Sequence, residues 1–190
     1  MPPRGKEEVK TALFEAAAYC FAQRGIAATS VREIAARAQV NHGLVHRHFG
    51  SKDELLKALL KKLADDVDER LKQKFGDGPP PPPAELLPQI FIGTTAVGLH
   101  WRVVLRALLE GVHPEELQTQ FPVFKKLVSS YRGLGYSSNE ALAEAALAFS
   151  TGLGFLTFQE YLQSAVDQEG GDWLEIRAML MQRFLNKLNR

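Results

Sequence analysis

Cysteine occurs once in the 190 residues, at Cys20, so no disulfide can close within the chain and the small disulfide-framed folds are excluded. Stretches that alternate β-branched and polar residues are nearly absent, which removes the sheet-built classes. No unbroken run of about 18 apolar residues occurs, and the opening MPPRGKEEVK leads into an amphipathic pattern rather than a signal-peptide core. The expectation is a cytoplasmic protein that makes no use of a membrane. Reactive constellations are scarce as well. Residues 63–190 hold no nucleophile–base–acid set, no cluster of metal-ligating side chains and no phosphate-binding glycine loop, so neither an enzyme nor a bound cofactor is expected.

An excess of charge of one sign is also lacking, with a formal net charge of +1, but that sum conceals an asymmetry. Residues 1–62 carry 11 Lys and Arg against 6 Asp and Glu, whereas residues 63–190 carry 12 against 16. A basic N-terminal unit on a mildly acidic body implies an anionic partner for the first and different work for the second. A hydrophobic content of 45% is ample for a folded core.

The 3.6-residue period recurs along almost the whole chain, which predicts an all-α protein. Val9, Ala12, Leu13, Ala16, Ala17, Cys20 and Phe21 form one apolar stripe, closed by Gly25. Cys20 lies within the stripe and reads as a packed thiol rather than a nucleophile. The capping box SVRE at 30–33 opens a short helix that breaks near QVN, Asn41 caps another, and SKDE at 51–54 opens a longer one over Lys52–Phe75. Two short helices around a tight break, flanked by longer ones, make a helix-turn-helix. The run GDGPPPPP at 76–83 cannot continue a helix and predicts a stiff spacer, solvated or open to a proline-binding module. Helices are expected beyond it at 84–97, 99–111, 114–133, 138–164 and 172–188, the fourth opened by the box SSNE at 137–140.

The last two of these helices are apolar over more than one core can cover. Ala141, Ala145, Ala148, Gly152 and Phe155 make one stripe, with Leu142, Ala146, Phe149, Leu153 and Leu156 beside it. In the final helix Trp173, Ile176, Leu180 and Phe184 run beside Leu174, Ala178, Met181, Leu185 and Leu188. A homodimer through 138–164 and 172–188 is the expectation, with Ala145 and Gly152 taken as positions where a bulky charge would break it.

The densest chemistry lies in VNHGLVHRHFGSKDELL, residues 40–56, with three histidines and an arginine between His42 and Phe49. His42 and His46 have the spacing of two zinc ligands, yet nothing nearby supplies the other two. Acid–base catalysis would need an organised partner and a cleft. A polyanion fits better: Asn41, His42 and Gly43 open a helix with no acid in its first turn, which suits phosphates at its N-terminus.

From about Val9 to Leu60 the segment containing FAQRG, TSVREIAARA and HFGSKDELL resembles the DNA-binding domain of the tetracycline-repressor (TetR) family of bacterial regulators. The resemblance implies a three-helix DNA-binding domain at residues 1–52 and a helical ligand-binding and dimerisation domain at 53–190. By position it places His42, Gly43, Leu44 and His46 on the recognition helix, Arg32 at the start of the preceding helix, Thr29 and Ser30 against the DNA backbone, and Lys52 as a phosphate-holding lysine. Arg4 and Lys6 would form a basic arm. Where the family has a glycine in the turn this chain has Gln39, which then has to accept a left-handed backbone. Leu44 replaces a small hydroxyl residue and His46 a tyrosine.

For the body, aromatic residues with a few polar tips predict a ligand pocket lined by Phe91, His100, Trp101, Phe121, Phe124, Tyr131, Phe155 and Phe158, or else ordinary core packing. The expected partners are a palindromic DNA operator, a second copy of the chain and a small apolar or aromatic effector that releases the DNA. The competing expectation is a helical enzyme or adaptor merely tethered to DNA by its N-terminal unit.

Overall fold

The computed structural model describes residues 3, 5–91, 95–117 and 121–188, and among them the chain is helical without a strand. Ten helices follow in order: α1 (Lys6–Arg24), α2 (Val31–Arg37), α3 (Gly43–Phe49), α4 (Lys52–Phe75), α5 (Pro83–Phe91), α6 (Thr95–Leu109), α7 (Pro114–Leu117), α8 (Pro122–Gly133), α9 (Ser138–Gln168) and α10 (Trp173–Leu188). The expected helix over 114–133 is two helices. Pro122, which lacks a backbone N–H and has a fixed φ, suits the first position of α8. α9 continues one turn past its expected end and stops at a left-handed Gly170. Asp172 caps α10, taking the N–H of Leu174 at 2.8 Å.

Two compact units result, and they do not follow the expected division at 52/53. The first comprises Met1–Val67 and Thr95–Phe121, the second Asp68–Thr94 and Pro122–Arg190. α6, assigned from sequence to the body, belongs with the N-terminal helices because Val103 and Ala107 complete the core that α1 to α4 build from Leu13, Phe21, Ile34, Val45, Leu55 and Leu60. Each large side chain so buried contributes roughly 1.5–3 kcal/mol. Cys20 lies in the same core, where burial pushes its thiol up, away from the reactive thiolate.

In the second unit α8 and α9 pack together and α5 lies against both. Gly152 lets them approach: a Cβ there would stand 2.6 Å from the Phe91 ring. Ala141, Ala145 and Ala148 are buried on the same side of α9. That stripe serves this chain's own core, contrary to the expectation that Ala145 and Gly152 would meet a partner. The proline spacer is tied down by Ser130, whose hydroxyl donates to the Pro81 carbonyl.

Candidate nucleic-acid interface

α2 begins at a complete capping box. Ser30 Oγ accepts the Glu33 N–H at 3.2 Å and Glu33 Oε2 accepts the Ser30 N–H at 2.8 Å. The backbone N–H and then the hydroxyl of Ser30, with Arg24 nearby, hold the Glu33 carboxyl below its ordinary value. At the other end Gln39 has φ 56, the left-handed conformation its place in the turn requires and the only such non-glycine residue among those described. The Gln39 N–H reaches the Ala36 carbonyl and the Val40 N–H the Ala35 carbonyl, a Schellman turn that stops α2 and redirects the chain into α3.

α3 is pinned by Val45, fully buried, and by Phe49, whose ring meets Phe14 at 5.2 Å. With those residues inward, the side chains of His42, His46 and Arg47 and the backbone at Gly43 are exposed, as are Asn41, Ser30 and Arg32. Leu44 is half-buried against the core and presents only part of its surface. The first-turn N–H groups, expected from the sequence to be open to phosphates, are already taken. Asn41 Oδ1 takes that of Gly43 at 2.8 Å, and the Asn41 and His42 carbonyls take those of Leu44 and Val45. The helix therefore offers side chains rather than its dipole end.

His46 Nδ1 lies 2.9 Å from the Gly50 carbonyl. A carbonyl only accepts, so Nδ1 carries the hydrogen, and the neutral ring is left with Nε2 as an acceptor. Arg24 is paired with Glu33, and the Arg37 guanidinium lies 3.3 Å over the Tyr19 ring. Arg32 and Arg47 make no ion pair among the described residues and stand exposed. Arg47 is not among the contacts expected from the sequence; a cation four residues after Gly43 on the same short helix was the available signal.

Two expected contacts are internal instead. Thr29 is 1% exposed, its hydroxyl donating to the Gly25 carbonyl at 2.7 Å and to Cys20 at 3.3 Å, so it has no hydrogen left for a phosphate. Lys52 Nζ donates to the Ile26 carbonyl at 2.8 Å and to the Thr29 carbonyl at 3.0 Å, which makes it a brace for the α1–α2 turn with one proton to spare. Arg4 lies outside the described residues.

The aromatic candidates do not form a single lining. His100 and Trp101 are buried edge-to-face at 4.6 Å in the first unit. Phe91 and Phe124 both meet Phe149, at 5.3 and 5.9 Å, in the second. Phe155 stacks on Trp173 at 6.4 Å, Tyr131 is buried against Tyr136, and Phe121 and Phe158 are exposed. Cavities of about 890 and 160 Å³ in the second unit are lined by other residues: the larger around Gln163 and Trp173, the smaller around Leu71, Phe75 and Lys126.

A buried two-helix unit that turns one helix outward with imidazole, guanidinium and an exposed glycine backbone defines a helix-turn-helix DNA-binding protein. The family profile described as bacterial regulatory proteins, tetR family, matches residues 13–59. Over 176 residues the chain is 39% identical to the HTH-type transcriptional repressor Rv3405c of Mycobacterium tuberculosis, covering 92% of this chain and 87% of that protein. The chain belongs to the tetR family and is a DNA-binding transcriptional regulator. Solved structures share the fold. A transcriptional regulator from Rhodococcus sp. Rha1 aligns with a TM-score of 0.66 at 24% identity over 96% of this chain and 94% of its own. A regulator from Saccharomonospora viridis in complex with choline aligns with a TM-score of 0.68 at 14% identity, over 97% and 95% respectively.

Proposed function

We propose that the protein is a homodimeric repressor that reads a palindromic operator with one α3 from each copy and is released by a small apolar or aromatic effector. The observation that carries the dimer is the surface of α9 and α10. Phe158, Tyr161 and Leu174 are 58%, 74% and 72% exposed, with Leu142, Leu147, Met179 and Leu180 also open, and Trp173 is the only buried residue of α10. An apolar surface of that kind marks an interface. α9 also contains an 18-residue window of mean hydropathy 1.4, enough by length and composition to cross a membrane, a feature that counting unbroken runs passes over. A second copy covers the same face in water, and sedimentation without detergent separates the two.

The repressor named above supports the direction of regulation. Base reading falls to His42, Leu44, His46 and Arg47. The Nε2 acceptor of His46 suits the amino groups of adenine or cytosine, and Arg47 suits guanine. Selection of bound sequences from a random DNA pool tests this. A two-fold symmetric site is expected, and His42→Ala or His46→Ala relaxes one position per half-site at a cost of about 1–3 kcal/mol. A selection that enriches no symmetric sequence sinks the proposal. For the effector, Phe91 and Phe124 gather on Phe149 in the second unit; a ligand would enter by opening that cluster, and aromatic faces also hold quaternary cations such as choline. Thermal-shift screening of aromatic acids, apolar metabolites and choline, followed by DNA titration with each stabilising compound, checks the reading. By reciprocity a compound that weakens DNA binding tenfold itself binds the DNA complex tenfold more weakly, about 1.4 kcal/mol of coupling.

A further inference from the structure

The turn between α1 and α2 is held from two sides by residues far along the chain. The carboxylate of Glu110, directly after α6, takes the N–H of Ile26 on Oε1 at 2.9 Å and that of Ala27 on Oε2 at 2.6 Å. Lys52 Nζ donates to the carbonyls of Ile26 and Thr29. Gly25, at φ 90, admits the carboxylate, because a Cβ there would collide with it. The turn runs through Thr29 directly into Ser30, the N-cap of α2.

Glu110 is itself fixed in place. α6 ends in a Schellman turn in which the Gly111 N–H reaches the Leu108 carbonyl and the Val112 N–H reaches the Ala107 carbonyl, while Val112 packs on the core that holds Ala107. Two oxygens on two successive N–H groups make a two-point clamp that is satisfied in one register only. Sliding α6 by one residue, about 1.5 Å, would break both bonds.

We infer that Glu110 is a positioning residue for DNA reading: it fixes the α1–α2 turn, and through Ser30 the α2–α3 pair, so the geometry of the reading helix depends on where α6 stands. The inference rests on the DNA-binding reading above. Its test uses the full chain with Glu110→Ala and Glu110→Gln, against the DNA site that the wild type selects. Glu110→Ala should lower affinity for that site about tenfold, the scale of one charge-assisted hydrogen bond. The salt dependence, which counts phosphate contacts, should be unchanged. Amide exchange at Ile26 and Ala27 should quicken while the amides of Leu55 and Leu60 stay protected. Glu110→Gln, with one acceptor oxygen left, should fall between, and it decides by the same readouts where the alanine variant does not fold. A purely structural role would lower the melting temperature and leave the affinity of the folded protein intact, which overturns the inference. If the wild type selects no DNA, the DNA reading fails and this inference with it; if Glu110→Ala holds the selected site as tightly as the wild type, the inference alone fails.

Discussion

Gln39 stands at φ 56, the left-handed backbone that the resemblance implied for the turn between α2 and α3. Relieving it is a direct test. Gln39→Gly should stabilise the protein by up to about 1 kcal/mol in urea unfolding, the left-handed cost outweighing the entropy glycine adds to the unfolded chain; an unchanged or lowered midpoint would contradict this. The internal partners of Thr29 and Lys52 could not be foreseen, because a match of position does not tell whether a hydroxyl or an ammonium already has partners, and those of Lys52 lie 23 and 26 residues away in the chain. Tyr131 is a further residue the sequence could not describe. Its hydroxyl is buried with no hydrogen-bond partner among the described residues, and burial first, then the charge of Glu144, pushes its pKa up from 10.0 to about 12. Because the folded-state value lies above the unfolded one, stability does not depend on this group below pH 10 and falls as pH rises from there towards 12, where only the unfolded chain ionises readily. Tyr131 should give a late phase in a spectroscopic titration, and Tyr131→Phe should abolish that phase while costing little stability. Tyrosines titrating together would show the hydroxyl to be solvated.

At the level of the helix, periodicity yields faces but does not say what each face meets. The two stripes of α9 could be read from the sequence; that Ala145 and Gly152 belong to the inner one could not, since it depends on Phe91 arriving from α5. A charge at Ala145 would therefore unfold the second unit rather than divide a dimer. Phe158→Glu and Leu174→Lys are the informative changes, because both side chains are exposed in the single chain. Each should convert dimer to folded monomer in sedimentation with circular dichroism unaltered. A wild type that is monomeric at micromolar concentration would remove the interface. The capping boxes were the most reliable guides to helix starts: Ser30 with Glu33 is reciprocal, and Glu140 takes the Ser137 N–H at 3.0 Å. At Ser51 only half of the box forms, with Glu54 turned towards Lys57. The division of 114–133 is hidden in the sequence because Leu117, Phe121, Phe124 and Val128 keep a helical period across Pro122.

For the molecule as a whole, the all-helical class and the DNA-reading end were legible because short-range signals carry them. The way the chain is shared between units was not, since the core of the first unit is completed by Val103 and Ala107 from beyond the proline spacer. That feature has a bearing on biosynthesis. A ribosome delivers residues from the N-terminus onward, so when α4 has emerged the core to which Leu13, Phe21 and Leu59 belong still lacks Val103 and Ala107, and the turn at Ile26 still lacks Glu110. The segment Asp68–Thr94, which belongs to the other unit, has to be made in the interval. The DNA-reading part thus matures late for an N-terminal domain, and a nascent chain halted before residue 103 exposes an incomplete core to chaperones and proteases rather than a small repressor fragment able to occupy the operator.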